Sequence, residues 1–208
     1  MSKGIFIVFE GIDGCGKTSV SKKIIEKLEL YLNNDQKAIY TREPGGCKIA
    51  EDIRKVILNN NNMSPDTEML LFAAARKEHL EQVIKNELLK NNIVICDRFF
   101  LSSVVYQGYL KNVDLKQLIN TNKFILKECY PDITFYFDVD TKNAVKRIQN
   151  RKNSQNRFDA QDIKKLNELK KFYEDAINEL GINVFKIDAN QEFDLVINEV
   201  FNHILKFI

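Results

Sequence analysis

No apolar run in these 208 residues reaches the roughly 20 residues that a membrane-crossing helix needs. The N-terminal stretch also lacks the apolar core of a secretory signal. Charge of one sign is missing too. The formal net charge is +2, so no strong overall field favours nucleic acid or a lipid surface. Cysteine is sparse: Cys15, Cys47, Cys96 and Cys129 stand far apart, with no C-x-x-C pair. That spacing indicates neither a zinc site nor a disulfide framework, and it points to a reduced, cytoplasmic setting. Histidine is rarer still. His79 and His203 lie in helical patterns with no partner that suggests a triad, so both read as structural or surface residues. Neither an internal repeat nor a linker interrupts the chain, and its length suits one domain with a full core.

What is present is alternation. Continuous apolar runs occur at "IFIVFE" (5–10), "KAIYT" (37–41), "IVICD" (93–97), "ITFYFD" (133–138) and "NVFKI" (183–187). Longer segments with helical spacing separate them. Strands that are apolar on both faces belong in a parallel sheet covered on both sides. Five of them predict a three-layer α/β fold, with ligands gathered at the carboxyl ends of the strands. "NNNNM" at 59–63, followed by Pro65, reads as a loop between helices.

The most specific motif follows the first strand. Gly11, four residues, then Gly16, Lys17 and Thr18 fit the phosphate-loop pattern G-x-x-x-x-G-K-[ST]. It arises by chance in roughly one chain of this length in a hundred. The loop residues Gly11, Ile12, Asp13, Gly14, Cys15, Gly16, Lys17 and Thr18 would wrap nucleotide phosphates with backbone N–H groups. Lys17 would reach the β- and γ-phosphates, and Thr18 would offer its hydroxyl to magnesium. Strand, glycine loop and helix form the context that the motif requires.

Other charged residues sit at the ends of later strands. Asp97 closes "IVICD" and suits the acid that orders magnesium, although an aspartate there can equally be a turn or capping residue. Arg98 follows, as an ion-pair partner or as a bidentate phosphate clamp. "TREPGG" places Arg42, Glu43 and Pro44 at a tight turn, either as solvated charges or as contacts to a second substrate. Phe72 and Arg76, four apart in a helical stretch, share one face and could hold a base ring with a donor at its edge. Arg147, Arg151, Lys152 and Arg157 form a basic segment that reads as a solvated helix end or as a lid of arginines, at about 147–160, over transferring phosphates.

"FEGIDGCGKTS", "TREPGG", "LFAAAR", "CDRFFLSSVVYQG", "YPDITFYFDV" and "QNRFD" stand in the order and spacing of bacterial thymidylate kinases. The chain resembles that family from Ile5 to about Ile187. The resemblance implies a P-loop fold of the nucleoside monophosphate kinase type and transfer of the γ-phosphate of ATP to dTMP, with magnesium, in a homodimer. It also implies site roles. Phe72 would stack on thymine, Arg76 would donate to O4, Ser103 would face the N3 edge, and Gln107 would lie close to the base. Tyr106 would fill the space of a ribose 2′-hydroxyl. Arg98 would grip the monophosphate with help from Arg42, and Arg54 would lie nearby. Asp13 would contact the 3′-hydroxyl and orient Arg98. Some relatives carry a basic residue directly after the loop acid. Gly14 stands there in this chain, so Arg147, Arg151 or Arg157 would supply transition-state charge.

Other classes fit less well. A GTPase switch needs a guanine-reading N-K-x-D, and "NKFI" at 122–125 lacks the acid. The loop lacks the proline typical of adenylate kinases, although a kinase for another nucleoside monophosphate stays open. A nucleic-acid motor would call for more charge and a longer chain.

Overall fold

The structure, a computed structural model, describes residues 4–33, 35–127, 129–150 and 163–208. Five strands form one parallel sheet: β1 (Ile5–Glu10), β2 (Ala38–Arg42), β3 (Ile93–Asp97), β4 (Ile133–Asp138) and β5 (Phe185–Asp188). The spatial order is β2-β3-β1-β4-β5. Two strands begin later than their apolar runs suggest. β2 is shifted by one residue, so that Arg42 rather than Thr41 ends it and pairs with Asp97. β5 starts at Phe185, because its pairing with β4 begins there.

β1 and β3 are buried nearly throughout, which is why they carry apolar residues on both faces. Aromatic rings interlock along the sheet. Phe9 meets Phe135 edge-on at 5.5 Å and lies 5.0 Å from Phe137, while Phe6 meets Phe99 at 5.1 Å. Among the described residues, helices cover the sheet: α1 (Lys17–Leu28), α2 (Lys48–Asn59), α3 (Pro65–His79), α4 (Lys85–Leu89), α5 (Phe100–Ser103), α6 (Leu115–Leu126), α7 (Thr141–Gln149), α8 (Ile163–Leu180) and α9 (Phe193–Ile204). Wide π-type turns at Leu80–Ile84 and Val104–Tyr109 carry α3 into α4 and extend α5. Local chemistry sets several starts. Ser64 caps α3 by accepting from the Thr67 N–H, with Pro65 at the first helical position, and Asp114 caps α6 through the Gln117 N–H. None of the described helices is long and apolar enough to cross a membrane.

The strand order turns around at β1, since the chain builds β2 and β3 on one side and β4 and β5 on the other. A crevice therefore opens beyond the carboxyl ends of β1 and β3. The register aligns Phe9 and Arg42 with Asp97, so the loops after β1, β2 and β3 start from one level.

Candidate functional site

The loop after β1 folds tightly enough that one position admits no side chain. Gly14 has φ +81°, and a Cβ there would run into the Ala144 carbonyl. A basic residue after Asp13 would therefore need α7 to move. Lys17 is buried. Its Nζ donates to the carbonyls of Gly11 (2.9 Å) and Ile12 (3.0 Å) and touches the Cys15 Sγ at 3.4 Å. Thr18, in the first turn of α1, donates its hydroxyl to the Asp97 carboxylate at the end of β3. Two oxygen donors from residues 79 apart in sequence thus stand side by side.

Arg98 comes next and adopts φ +70°. A non-glycine residue there costs about 1–3 kcal/mol, which the surroundings must offset. They do so with many bonds. The Arg98 N–H donates to the Phe9 carbonyl at 2.9 Å, and its guanidinium pairs with Asp13 and donates to Ser102 Oγ (3.2 Å) and the Tyr173 hydroxyl (3.1 Å). The guanidinium also lies 5.2 Å from the centre of the Tyr106 ring. Behind it sits Glu10, fully buried. One Glu10 oxygen accepts from the N–H groups of Phe99 and Ser102, and the other accepts from the hydroxyls of Ser102 and Tyr173. Burial pushes the Glu10 carboxyl above its ordinary range, against the opposing pull of the Ser102 hydrogen bond. Burial raises the phenols of Tyr106 and Tyr173 as well, so both keep their protons as donors.

A second buried lattice centres on Arg76. Its Nε donates to Glu43 at 2.7 Å, one Nη donates to Asn122 Oδ1, and the other donates to the Phe99 carbonyl (3.2 Å) and Ser103 Oγ (3.0 Å). Glu43 also meets His79 Nδ1 at 3.1 Å, and the other His79 ring nitrogen meets Thr41 Oγ1 at 2.6 Å. His79 is thus a structural residue, completely buried. Gly46, at φ +90°, leaves room for its ring, which a Cβ there would strike. Atoms of Glu43, His79 and Cys96 lie within 4.8 Å of one another. Both ring nitrogens of His79 already have protein partners, so this trio reads as packing and hydrogen bonding rather than as a metal centre.

These groups enclose a cavity of about 230 Å³. Its wall includes every residue anticipated for the acceptor: Asp13, Arg42, Glu43, Pro44, Arg54, Phe72, Arg76, Arg98, Ser103, Tyr106 and Gln107. Thr18 and Asp97 line it too. The structure alters several expectations. Arg42 spends its guanidinium on the Pro44 carbonyl (2.8 Å) and Glu51 (3.0 Å), and Arg54 also donates to Pro44 (3.0 Å). Both therefore brace the Glu43–Pro44 turn, whose peptide is cis. The Glu43 carboxylate faces Arg76 and His79. Arg147 does not line this cavity. From the last turn of α7 it donates to the Ala189 carbonyl at 3.0 Å. Arg151, Arg157 and most of the segment expected to act as a lid lie outside the described residues. Sequence reasoning missed Leu58, Phe99 and Ser102 in the wall, and Glu10, Glu51, Glu68, Asn122 and Tyr173 behind it. Only Glu10 carried a signal, as an acid closing a buried strand just before the glycine loop.

The sheet order, the glycine loop and the cavity beside it define a P-loop α/β protein of the nucleoside monophosphate kinase type. The family model "Thymidylate kinase" matches residues 9–200. A thymidylate kinase of Mycoplasmoides gallisepticum is 39% identical over 208 residues, covering 100% of this chain and 97% of that protein. That of Mycoplasma capricolum is 42% identical over 205 residues, covering 97% and 95%. The crystal structure of thymidylate kinase from Ehrlichia chaffeensis superposes with a TM-score of 0.75 at 32% identity, covering 98% of this chain and 99% of that one. The chain belongs to the thymidylate kinase family.

Proposed function

We propose that this enzyme transfers the γ-phosphate of ATP to dTMP, giving dTDP for DNA synthesis. One observation carries the reading. A single cavity joins an aromatic side chain (Phe72), a buried guanidinium (Arg76) and a buried amide (Gln107) to the Asp13–Arg98 pair, with Thr18 and Asp97 also in its wall. Those groups suit a flat oxo-pyrimidine, a sugar and a monophosphate, set beside a phosphate loop. Phe72 would stack on the base, while Arg76 and Ser103 meet its edge. A guanidinium only donates, so O4 of thymine suits it and the amino group of cytosine does not. Tyr106 would lie under the deoxyribose, and Asp13 would accept from the 3′-hydroxyl. Arg98 would hold the monophosphate, its head already directed by Asp13, Ser102 and Tyr173.

On the donor side, residues 11–18 would wrap the ATP phosphates. Lys17 now bonds carbonyls of its own loop, and phosphate oxygens would compete for the same donor. Thr18 and Asp97 are adjacent oxygen ligands in the cavity wall, a donor set that suits magnesium, and they would hold it directly or through water. When bound, the ion would neutralise charge on the donor phosphates. No side chain need act as a base, because the attacking oxygen is already an anionic phosphate. The protein contributes positioning and fixed charge.

The enzyme would work as one domain in the cytoplasm and as a homodimer. Support for the dimer is that α2, α3 and α6, which pack in succession, leave Ile49, Val56, Leu70 and Phe124 exposed. Sedimentation of the purified protein tests that part. The activity itself is tested by a coupled assay with ATP, magnesium and a panel of nucleoside monophosphates. The expected order is dTMP, then dUMP, with dCMP almost unused. Equal use of dCMP and dTMP would overturn the thymine assignment.

A further inference from the structure

Gln107 lies in the π-type turn Val104–Tyr109 and lines the acceptor cavity, with only 1% of its surface exposed. Its Nε2 donates to Glu68 Oε1 at 2.9 Å, while its Oε1 is buried and accepts no hydrogen bond. Glu68 stands in the first turn of α3, fully buried, and its other oxygen takes the Lys111 ammonium group. Lys111 is partly exposed at the edge of this pair.

We propose that Glu68 is a positioning residue that sets the amide of Gln107 and thereby selects acceptor bases with a ring N–H. The inference rests on the proposed reading of the cavity as the dTMP site. A carboxylate ion-paired with Lys111 has no proton to give. The NH₂ end of Gln107 must therefore face it, because the reversed amide would set two oxygens 2.9 Å apart. That leaves Oε1 as a buried acceptor in a cavity-lining residue, and a buried acceptor gains most from a ligand that brings a donor. Thymine and uracil carry N3–H, whereas N3 of cytosine is itself an acceptor and would face oxygen with a lone pair. This selection is separate from that of Arg76, which acts at position 4 of the ring and is held by a different set of residues, Glu43, Asn122, Phe99 and Ser103.

Glu68→Gln tests it, since an amide at 68 can accept or donate and so frees Gln107 to turn over. The measurement is kcat/KM for dTMP and dCMP at saturating ATP. Glu68→Gln should narrow the dTMP-to-dCMP ratio about tenfold, a modest part of what a hydrogen-bonding site can discriminate. The change should fall mainly on KM for dTMP, with KM for ATP unmoved. Glu68→Asp, which can still only accept, should keep the ratio even if both acceptors bind less well. A merely structural role would lower dTMP and dCMP use in parallel. Should Glu68→Gln fail to fold, Lys111→Met reports instead: loosening the pair from its exposed side should narrow the ratio about threefold, the scale of a partly exposed ion pair. An unchanged ratio in the folded variants overturns the role of Glu68. Failure of the wild-type protein to prefer dTMP would instead overturn the reading of the cavity.

Discussion

The phosphate loop and the acceptor wall lie side by side, yet they are held in opposite ways. Lys17 bonds the carbonyls of Gly11 and Ile12, six and five residues away. The side chains of Arg76 and Arg98 are held by partners up to 85 residues away, on β1, β2, α5, α6 and α8 or the loops beside them. A local loop can release its lysine to phosphate without disturbing the core. A guanidinium buried among carboxylates and carbonyls cannot let go of them cheaply. On the proposed reading of the site, the donor side would change partners on binding, whereas the acceptor side would be arranged before the ligand arrives.

Lys17→Ala should show the largest functional effect and the smallest structural one. We expect kcat to fall roughly 10³-fold, the scale of losing a group aimed at transition-state charge, while the thermal unfolding midpoint stays near that of the wild type. A large drop in the midpoint would mean that the lysine also holds the fold.

Arg76→Ala should break the contrast from the other side. It leaves Glu43 buried without its main partner, which costs about 3–5 kcal/mol of stability. Use of dTMP should collapse as well, with ATP binding nearly normal in whatever protein remains folded. Denaturant titration beside nucleotide-binding calorimetry separates the two effects. Undiminished stability would show that the lattice is less cooperative than its hydrogen bonds imply.

Tyr106→Ala probes a residue that belongs to both styles, half-buried and stacked under Arg98. The deoxy-to-ribo ratio of kcat/KM should fall about tenfold if the ring excludes a 2′-hydroxyl. Paired assays with dTMP and its ribose form would reveal an unchanged ratio and so remove that role.

Tyr173→Phe should have the mildest consequences. It deletes one hydroxyl that joins Glu10, Ser102 and Arg98, at a cost of about 1 kcal/mol. KM for dTMP should rise a few-fold, about the effect of one lost hydrogen bond, and KM for ATP should not move. Steady-state kinetics with each substrate varied in turn decides whether the disturbance stays on the acceptor side.

The sequence by itself determined which segments are strands, because a parallel sheet covered on both faces needs continuous apolar runs, while pairing set where β2 and β5 begin. It determined the phosphate loop for a related reason: backbone turns of this kind demand glycines at set spacings within eight residues. It also pointed to Asp97, Arg98, Phe72 and Arg76, each read from its position on a strand end or helix face. The partners of those residues came only with the tertiary structure. Nothing near Arg76 in the chain announces Asn122, nothing near Arg98 announces Tyr173, and Glu68 looks like any acid in a first helical turn. Packing decided as well that Arg42 and Arg54 brace the Pro44 turn and that Arg147 reaches Ala189. The physical reason is one of range. Backbone conformation and burial patterns are set over a few residues and leave a period in the sequence, whereas a buried charge takes its partner from whichever element the fold lays against it, and that pairing has no period to read.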